Sequence, residues 1–526
     1  MRAVDFDEKK IDAIFASLNQ CLQPGAAVGI SIDGRPVYRK GFGLASMELP
    51  VILSPSIRMR IYSTTKHFAC LAYLLVCEES RARLDDPIGK YIPELHPVAR
   101  PVTMRQLMGH TGGLRDAHEI LWHFSGMGRA TTSAELLSFY RDFEDVNFAP
   151  GSNWSYNNGG YVLLTEAIER ITGRSLEQVL RERIFEPVGM NDTLLRRFDT
   201  DFVPNSATMH MTDSKGQYNR SYMGAATAGE GGIVSTVDDM LRWLAHLDSP
   251  TVGSASTWAS MKTPQTLTNG TSTGYGLGLL LGQYRGVETL YHPGGGFGAN
   301  SQMLKVPSAG LDIVILVNRH DVSAVTLSEG ILDSCLTALE AVEDEPDRRI
   351  GTGTFHSQRT SRVLQLFDKD GQQFVSIDGT EVPFKSDRDG VLRPAPAFQY
   401  MRWELRLMGD PEQPDSVRSR DFGNADEFVR VQCSGKADTQ AILGQYRSAA
   451  TQTDATIREA DGGVQLITAG RFGSMLYPLA PIGDGIWKTL PVEPSFLGGI
   501  LTFESQSSGF RLNTLRTRAL PFRRIH

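Results

Sequence analysis

The chain has 526 residues, more than one hydrophobic core accommodates, so about two to four domains are expected. Its 41% hydrophobic and 21% charged residues are those of an ordinary globular protein, and a net charge of −7 disfavours nucleic acid or anionic membrane as the main partner, because both need clustered Lys and Arg. No apolar run approaches the ~20 residues that span a bilayer, the first ten residues are too charged for a secretory leader, and the five scattered cysteines contain no C-x-x-C pair, so a soluble cytoplasmic protein without disulfides or zinc is expected.

In chain order, residues 26–32 and 35–40 flank Asp33-Gly34 and predict a hairpin with a tight turn. Ser63-Thr64-Thr65-Lys66 then opens a stretch, 67–76, that is apolar nearly all round, as a buried helix should be. On a helix a spacing of three puts Ser63 and Lys66 on one face, roughly 5–6 Å apart at Cβ. That is a nucleophile with a base beside it, next to helix N-terminal amides that stabilise negative charge. The pattern is common by chance, so Ser63 requires partners.

His118-Glu119-Ile120-Leu121-Trp122-His123 has its histidines five apart, which makes them diverge on a helix, and no metal site is expected there. Tyr156-Asn157-Asn158 follows a Pro150-Gly151 turn and leads into helical periodicity over 161–171, stopped by Gly173. A tyrosine there can exchange protons with the serine or a leaving group, and Asn158 can hold a substrate amide. A further helix, opened by the capping residues Ser235-Thr236, is predicted over 235–244. His292-Pro293-Gly294-Gly295-Gly296 precedes strand candidates 301–306 and 311–317, and its glycines let a substrate lie against the strand backbone with amides free for an oxyanion. A helix over 329–339 closes this part. Residues 341–349 are charged and non-periodic, which marks a linker. Beyond them, short strands punctuated by Asp-Gly turns predict two small all-β antiparallel domains, 350–440 and 441–526, because the pattern begins again near Gly444.

S-x-x-K, Y-x-N and H-x-G in this order resemble the serine β-lactamase and penicillin-binding superfamily, particularly its class C-like branch. Residues 84–88, 104–114, 148–151, 187–190 and 275–278 add to the likeness, which spans most of 20–340. The resemblance implies an α/β catalytic domain over 1–340, an antiparallel sheet flanked by helices. It implies Ser63 as acyl-enzyme nucleophile, Lys66 and Tyr156 sharing the acid and base work, and Asn158, His292, Gly294 and Gly295 binding substrate, with Ser63 and Gly295 N–H groups as the oxyanion hole. No cofactor is implied. A neutral lysine at pH 7 requires a pKa about three below its free value, roughly 4 kcal/mol. His292 stands where carboxylate-binding relatives carry lysine, so a substrate without that charge is expected.

A catalytic domain of this kind followed by two barrels, lipocalin-like in form, resembles the bacterial D-aminopeptidases. That likeness implies removal of N-terminal D-residues from peptides, amides and esters, and a homodimer as the expected assembly. It also implies a loop of the last domain, about 488–499, entering the cleft with Glu493 receiving the substrate amine. An esterase or D,D-peptidase of the same superfamily is the alternative, and a non-catalytic scaffold retaining the fold is the alternative of another class.

Overall fold

The computed structural model describes residues 4–126, 128–341, 350–387, 389–395, 402–432, 438–460, 462–490, 498–503 and 508–525. Strand β1 (Ala26–Ile32) is buried along almost its whole length because helices cover both of its faces. With period two, Ala26, Val28 and Ile30 point to one side and Ala27 to the other. The first set packs with Ile11 and Phe15 of the N-terminal segment, which begins with helix α1 (Glu8–Ile14). Ala27 packs with Phe68 of α2 (Lys66–Glu78) and Trp243 of a later helix.

The expected hairpin forms between β1 and β2 (Arg35–Phe42). The sheet continues with β3 (Leu280–Tyr284), β4 (Val287–Gly296), β5 (Ala299–Val306) and β6 (Leu311–Val317). Its order is β3-β4-β5-β6-β1-β2, antiparallel throughout, so β1 from the start of the chain pairs with β6 from near residue 315. Helix α3 (Ala117–Ser125) and helix α4 (Asn158–Thr172) lie among the helices between β2 and β3. Of two predicted helices, the first forms with its predicted cap and the second is displaced. α5 (Val237–His246) starts after Thr236, whose hydroxyl caps it, and α6 (Ala324–Cys335) starts five residues before the predicted 329 because Ser323 supplies its cap.

Residues 342–349, within the predicted linker, lie outside the described residues. The all-β expectation is met by two closed eight-stranded antiparallel barrels. The first comprises β7 (Gly353–His356), β8 (Val363–Lys369), β9 (Gln372–Ile377), β10 (Thr380–Ser386), β11 (Val391–Pro394), β12 (Trp403–Asp410), β13 (Gln413–Asp421) and β14 (Asn424–Arg430). The second comprises β15 (Gly444–Ser448), β16 (Thr453–Ala460), β17 (Gly463–Gly470), β18 (Gly473–Gly483), β19 (Ile486–Thr489), β20 (Ile500–Phe503), β21 (Gly509–Asn513) and β22 (Leu520–Ile525).

The first barrel has its own core around Phe355, Val375, Trp403 and Phe428. The core of the second, including Tyr446, Tyr477 and Phe522, is continuous with that of the α/β part. The junction is α3: His123 stacks on Tyr477 at 5.1 Å, and Phe124 meets Phe522 edge-on at 5.8 Å. The second barrel is thereby docked by apolar packing, which removes water from both partners.

Candidate active site

Ser63 sits on a 3₁₀ turn, Tyr62–Thr65, that runs straight into α2, rather than in the α-helix itself. Tyr62 has φ of +46°, and its hydroxyl donates to the Phe297 carbonyl at 2.9 Å, which anchors the bend that turns Ser63 outward. Lys66 is the first residue of α2 and is completely buried. Its amine lies 3.2 Å from Ser63 Oγ, 2.8 Å from Asn158 Oδ1 and 2.7 Å from the Glu230 carbonyl oxygen. Burial lowers its pKa to about 7; the nearby Glu230 carboxylate opposes that shift and the Arg516 guanidinium reinforces it. The lysine thus has an available lone pair near neutrality, and the serine is its neighbour.

Tyr156 places its ring centroid 4.7 Å from Lys66 Nζ and packs on His110 at 4.4 Å. His110 is held in turn: its Nδ1 accepts the Asn157 N–H at 3.1 Å, and burial keeps the imidazole neutral. Asn157 caps α4, accepting from Gly160 N, so Asn158 points from the first turn of a fixed helix. Asp116 completes this end. Its carboxylate accepts from Asn158 N at 3.1 Å and Gly159 N at 3.2 Å, an anion on a helix N-terminus.

On the opposite wall, β4 runs beside the serine turn and is tied to it. The Thr64 hydroxyl donates to the His292 carbonyl at 2.9 Å, and the Ser301 hydroxyl donates to the Ile61 carbonyl at 2.8 Å. A Cβ at Gly294 would stand 2.0 Å from Ile61 O, so only glycine permits this approach. At Gly295 a Cβ would meet nothing within 4 Å; that residue faces the open cleft.

His292 is buried, and burial, reinforced by Lys66, pushes its pKa down to about 3. Its Nδ1 is 2.7 Å from the Pro293 carbonyl, which can only accept, so Nδ1 carries the proton and Nε2 accepts from the Tyr275 hydroxyl at 3.0 Å. Both ring nitrogens are committed inside the protein, and the imidazole offers no charge to a carboxylate.

The cleft is a cavity of about 490 Å³ shared by three parts of the chain. Ser63, Tyr156 and Gly294–Gly296 come from the first part, Trp403, Asp421 and Phe422 from the first barrel, and Leu515, Arg516 and Arg518 from the second. Phe422 stacks on Trp154 at 3.5 Å between centroids. Of the 488–499 stretch, Lys488 pairs with Glu381 of the first barrel at 2.5 Å and Thr489 bonds to Gly499, while residues 491–497, Glu493 among them, lie outside the described residues.

The second barrel's contribution to the cleft, among the described residues, is instead the turn 514–519, which sequence reasoning did not single out. Nothing in its local pattern distinguishes Arg516 and Arg518 from the other arginines of the tail. Asp116, Glu230 and the aromatic pair Trp154 and Phe422 were missed likewise. His118 and His123 do diverge: His118 faces Asp116 and Glu230, at 3.9 and 3.7 Å, while His123 stacks on Tyr477. Among the described residues no group of three or more metal-type ligands is assembled, and no helix is long and apolar enough to cross a membrane.

A family profile described as Beta-lactamase matches residues 11–334. The D-aminopeptidase of Brucella melitensis biotype 2 is 27% identical over 487 residues, which span 90% of this chain and 88% of that one. The octameric penicillin-binding protein homologue from Pyrococcus abyssi superposes with a TM-score of 0.57 at 20% identity, covering 98% of this chain and 100% of its own. The D-amino acid amidase from Ochrobactrum anthropi SV3, complexed with D-phenylalanine, gives 0.52 at 23% identity and covers 62% of this chain and 98% of its own. The last two are likenesses of fold.

Proposed function

The chain belongs to the Beta-lactamase family, and on that footing we propose that it is a serine hydrolase working through an acyl-enzyme, which releases N-terminal D-residues from peptides, amides and esters. The observation that carries the reading is the Lys66 amine, 3.2 Å from Ser63 Oγ and brought by burial to a pKa of about 7. A base poised near the working pH is what general-base catalysis needs.

In this reading Ser63 Oγ attacks the acyl carbon as its proton passes to Lys66. The displaced electron pair collects on the carbonyl oxygen between the N–H groups of Ser63 and Gly295. Tyr156, sharing the proton traffic with Lys66, protonates the departing amine or alcohol as the bond to it breaks. Water then attacks the Ser63 ester, giving up its proton to the same pair and releasing the acid. Asn158 orients both Lys66 and the substrate amide.

The substrate class rests on the relatives named D-aminopeptidase and on His292, whose internal hydrogen bonds leave it unable to pair with a substrate carboxylate. A D,D-peptidase would need that pairing. Glu493 is the proposed receptor of the free amine, and Glu493→Gln should raise KM for free-amine substrates alone.

Turnover of D-alanyl p-nitroanilide, its L-isomer and its N-acetyl form tests the proposal. The expected result is hydrolysis of the free D-form, abolished in Ser63→Ala. Equal turnover of the blocked form would refute an aminopeptidase, and no turnover of any amide or ester would leave a scaffold.

A further inference from the structure

The turn 514–519, between β21 and β22, is clamped to the α/β part from three sides. Glu119 of α3 is buried, and its carboxylate accepts from the Thr514 hydroxyl at 2.7 Å, the Thr517 hydroxyl at 2.7 Å and the Arg516 N–H at 3.0 Å. Asn147 donates to the Arg516 carbonyl at 2.7 Å and accepts the Arg518 N–H at 3.0 Å. Arg115, buried as well, donates to the Arg518 carbonyl at 3.1 Å. Every one of these bonds is made to backbone or to short threonine side chains, so the turn is a fixed wedge and Arg516 is presented from it in one direction.

That direction leads to the acyl-transfer site in four bonded steps. Arg516 Nη1 donates to Asp116 Oδ2 at 3.0 Å, and the guanidinium lies 5.1 Å over the ring of Tyr156. Asp116 holds the first two amides of α4, among them Asn158 N. Asn158 Oδ1 accepts from Lys66, and Lys66 contacts Ser63. Without Arg516, the buried Asp116 carboxylate loses its hydrogen-bonded guanidinium and keeps only the His118 imidazole, 3.9 Å away, and the α4 amides, which is unfavourable for a buried charge.

We propose that Arg516, supplied by the last barrel, is a positioning residue of the Ser63–Lys66 site: it fixes Asp116 on the start of α4, so that Asn158 and Lys66 keep their places, and it balances the charge behind them. The inference rests on the acyl-transfer reading above. It makes the second barrel a component of the catalytic machinery through one side chain that acts by way of Asp116 and Asn158.

The charges around Lys66 agree with this placement. Glu230 and Asp116 favour the ammonium, with Cys70 of its own helix acting in the same sense, and Arg516 opposes it. His110 and His292 are kept neutral by burial, and the rings of Tyr156 and Tyr161 lie 4.7 and 5.1 Å from Nζ. Arg516 in turn faces Asp116, Glu119 and Tyr156. His118, between the two carboxylates at 3.9 Å from Asp116 and 3.7 Å from Glu230, stays in place in either case; removing Arg516 takes away the guanidinium that opposes them at Lys66, so the lysine holds its proton to higher pH.

The test uses the full chain with Arg516→Met, Arg516→Lys and the double variant Asp116→Asn with Arg516→Met. Two readouts serve: kcat and KM against pH for D-alanyl p-nitroanilide, and the pH dependence of fluorophosphonate labelling of Ser63, which needs no physiological substrate. Arg516→Met should move the acidic limb of both profiles up by about one pH unit. At pH 7 that is about a fivefold loss in kcat, with KM nearly unchanged. Arg516→Lys should restore much of the limb, since it keeps the charge, and Asp116→Asn added to Arg516→Met should bring the limb back toward the native position.

A limb that ignores Arg516, an effect confined to KM, or a double variant no better than Arg516→Met would each overturn the inference. Should Arg516→Met fail to fold, the lysine variant decides: a limb near the native position supports the role, and a limb displaced by a full pH unit or more, with the charge retained, contradicts it. Labelling of the native chain that is lost in Ser63→Ala upholds the acyl-transfer reading separately. Absence of such labelling would overturn that reading and this inference with it.

Discussion

Replacing Lys66 by Met should abolish turnover and at the same time stabilise the protein at neutral pH. The amine has a pKa of about 7 in the folded chain against an ordinary value of 10.5. Each tenfold change in proton affinity is worth about 1.4 kcal/mol, so carrying the charge into this site costs the native state about 4–5 kcal/mol at pH 7. Methionine removes that cost and fills similar volume. It also strips a donor from Asn158 Oδ1 and from the Glu230 carbonyl, at about 1 kcal/mol each, which leaves a net gain of about 2 kcal/mol.

The gain must depend on pH, and its sign is set by proton binding. Between about pH 7 and 10.5 the unfolded chain holds a proton on this lysine that the folded chain has released, so native stability rises with pH across that window. By about pH 9.5 the native lysine has recovered about 3 kcal/mol, and Lys66→Met becomes the less stable of the two. Urea unfolding followed by tryptophan fluorescence at the two pH values measures the difference. Since a chain of three parts need not unfold in one step, the quantity to compare is the shift between variants in the same transition. An advantage of Lys66→Met that is the same at both pH values would refute the argument, because it would mean that the buried lysine remains charged.

Two further expectations concern the walls of the cleft. Gly294→Ala should lower turnover about 100-fold and destabilise the fold by about 1–3 kcal/mol, because its methyl would stand 2.0 Å from Ile61 O and force β4 away from the serine turn; Gly295→Ala, with no atom within 4 Å, should leave the thermal midpoint unchanged. Equal thermal midpoints for the two variants would contradict the tight approach of β4. Phe422→Ala should raise KM for bulky apolar substrates several-fold and cost about 3 kcal/mol, since it removes the ring stacked on Trp154. Unaltered KM and unfolding would show that the first barrel does not shape the cleft.

How much of this was legible depends on how far apart in the chain the interacting groups lie. The hairpin at 26–42 and the buried character of α2 follow from patterns inside a few turns of chain, and there the reading from residues and the structure agree. The capping Thr236 of α5 is legible in the sequence, but the start of α6 moved to 324 because the Ser323 hydroxyl caps it, a local effect that apolar periodicity does not register. His292 is the intermediate case. Its lack of charge was expected from its residue type, but the commitment of both nitrogens comes from Tyr275 and Pro293 packed around it.

The sequence by itself determined the chemistry on offer: a serine and a lysine one turn apart, a tyrosine and asparagine opening a helix, and glycines on a strand, each a short pattern whose geometry the local backbone dictates. Only the tertiary structure decided what those groups experience. Burial from every side brings the Lys66 amine to a pKa of about 7, and the cation that shields it from Asp116 arrives from Arg516, 400 residues farther along the chain. Charge and desolvation act through space, and the docking of the second barrel on α3 is what brings those residues together.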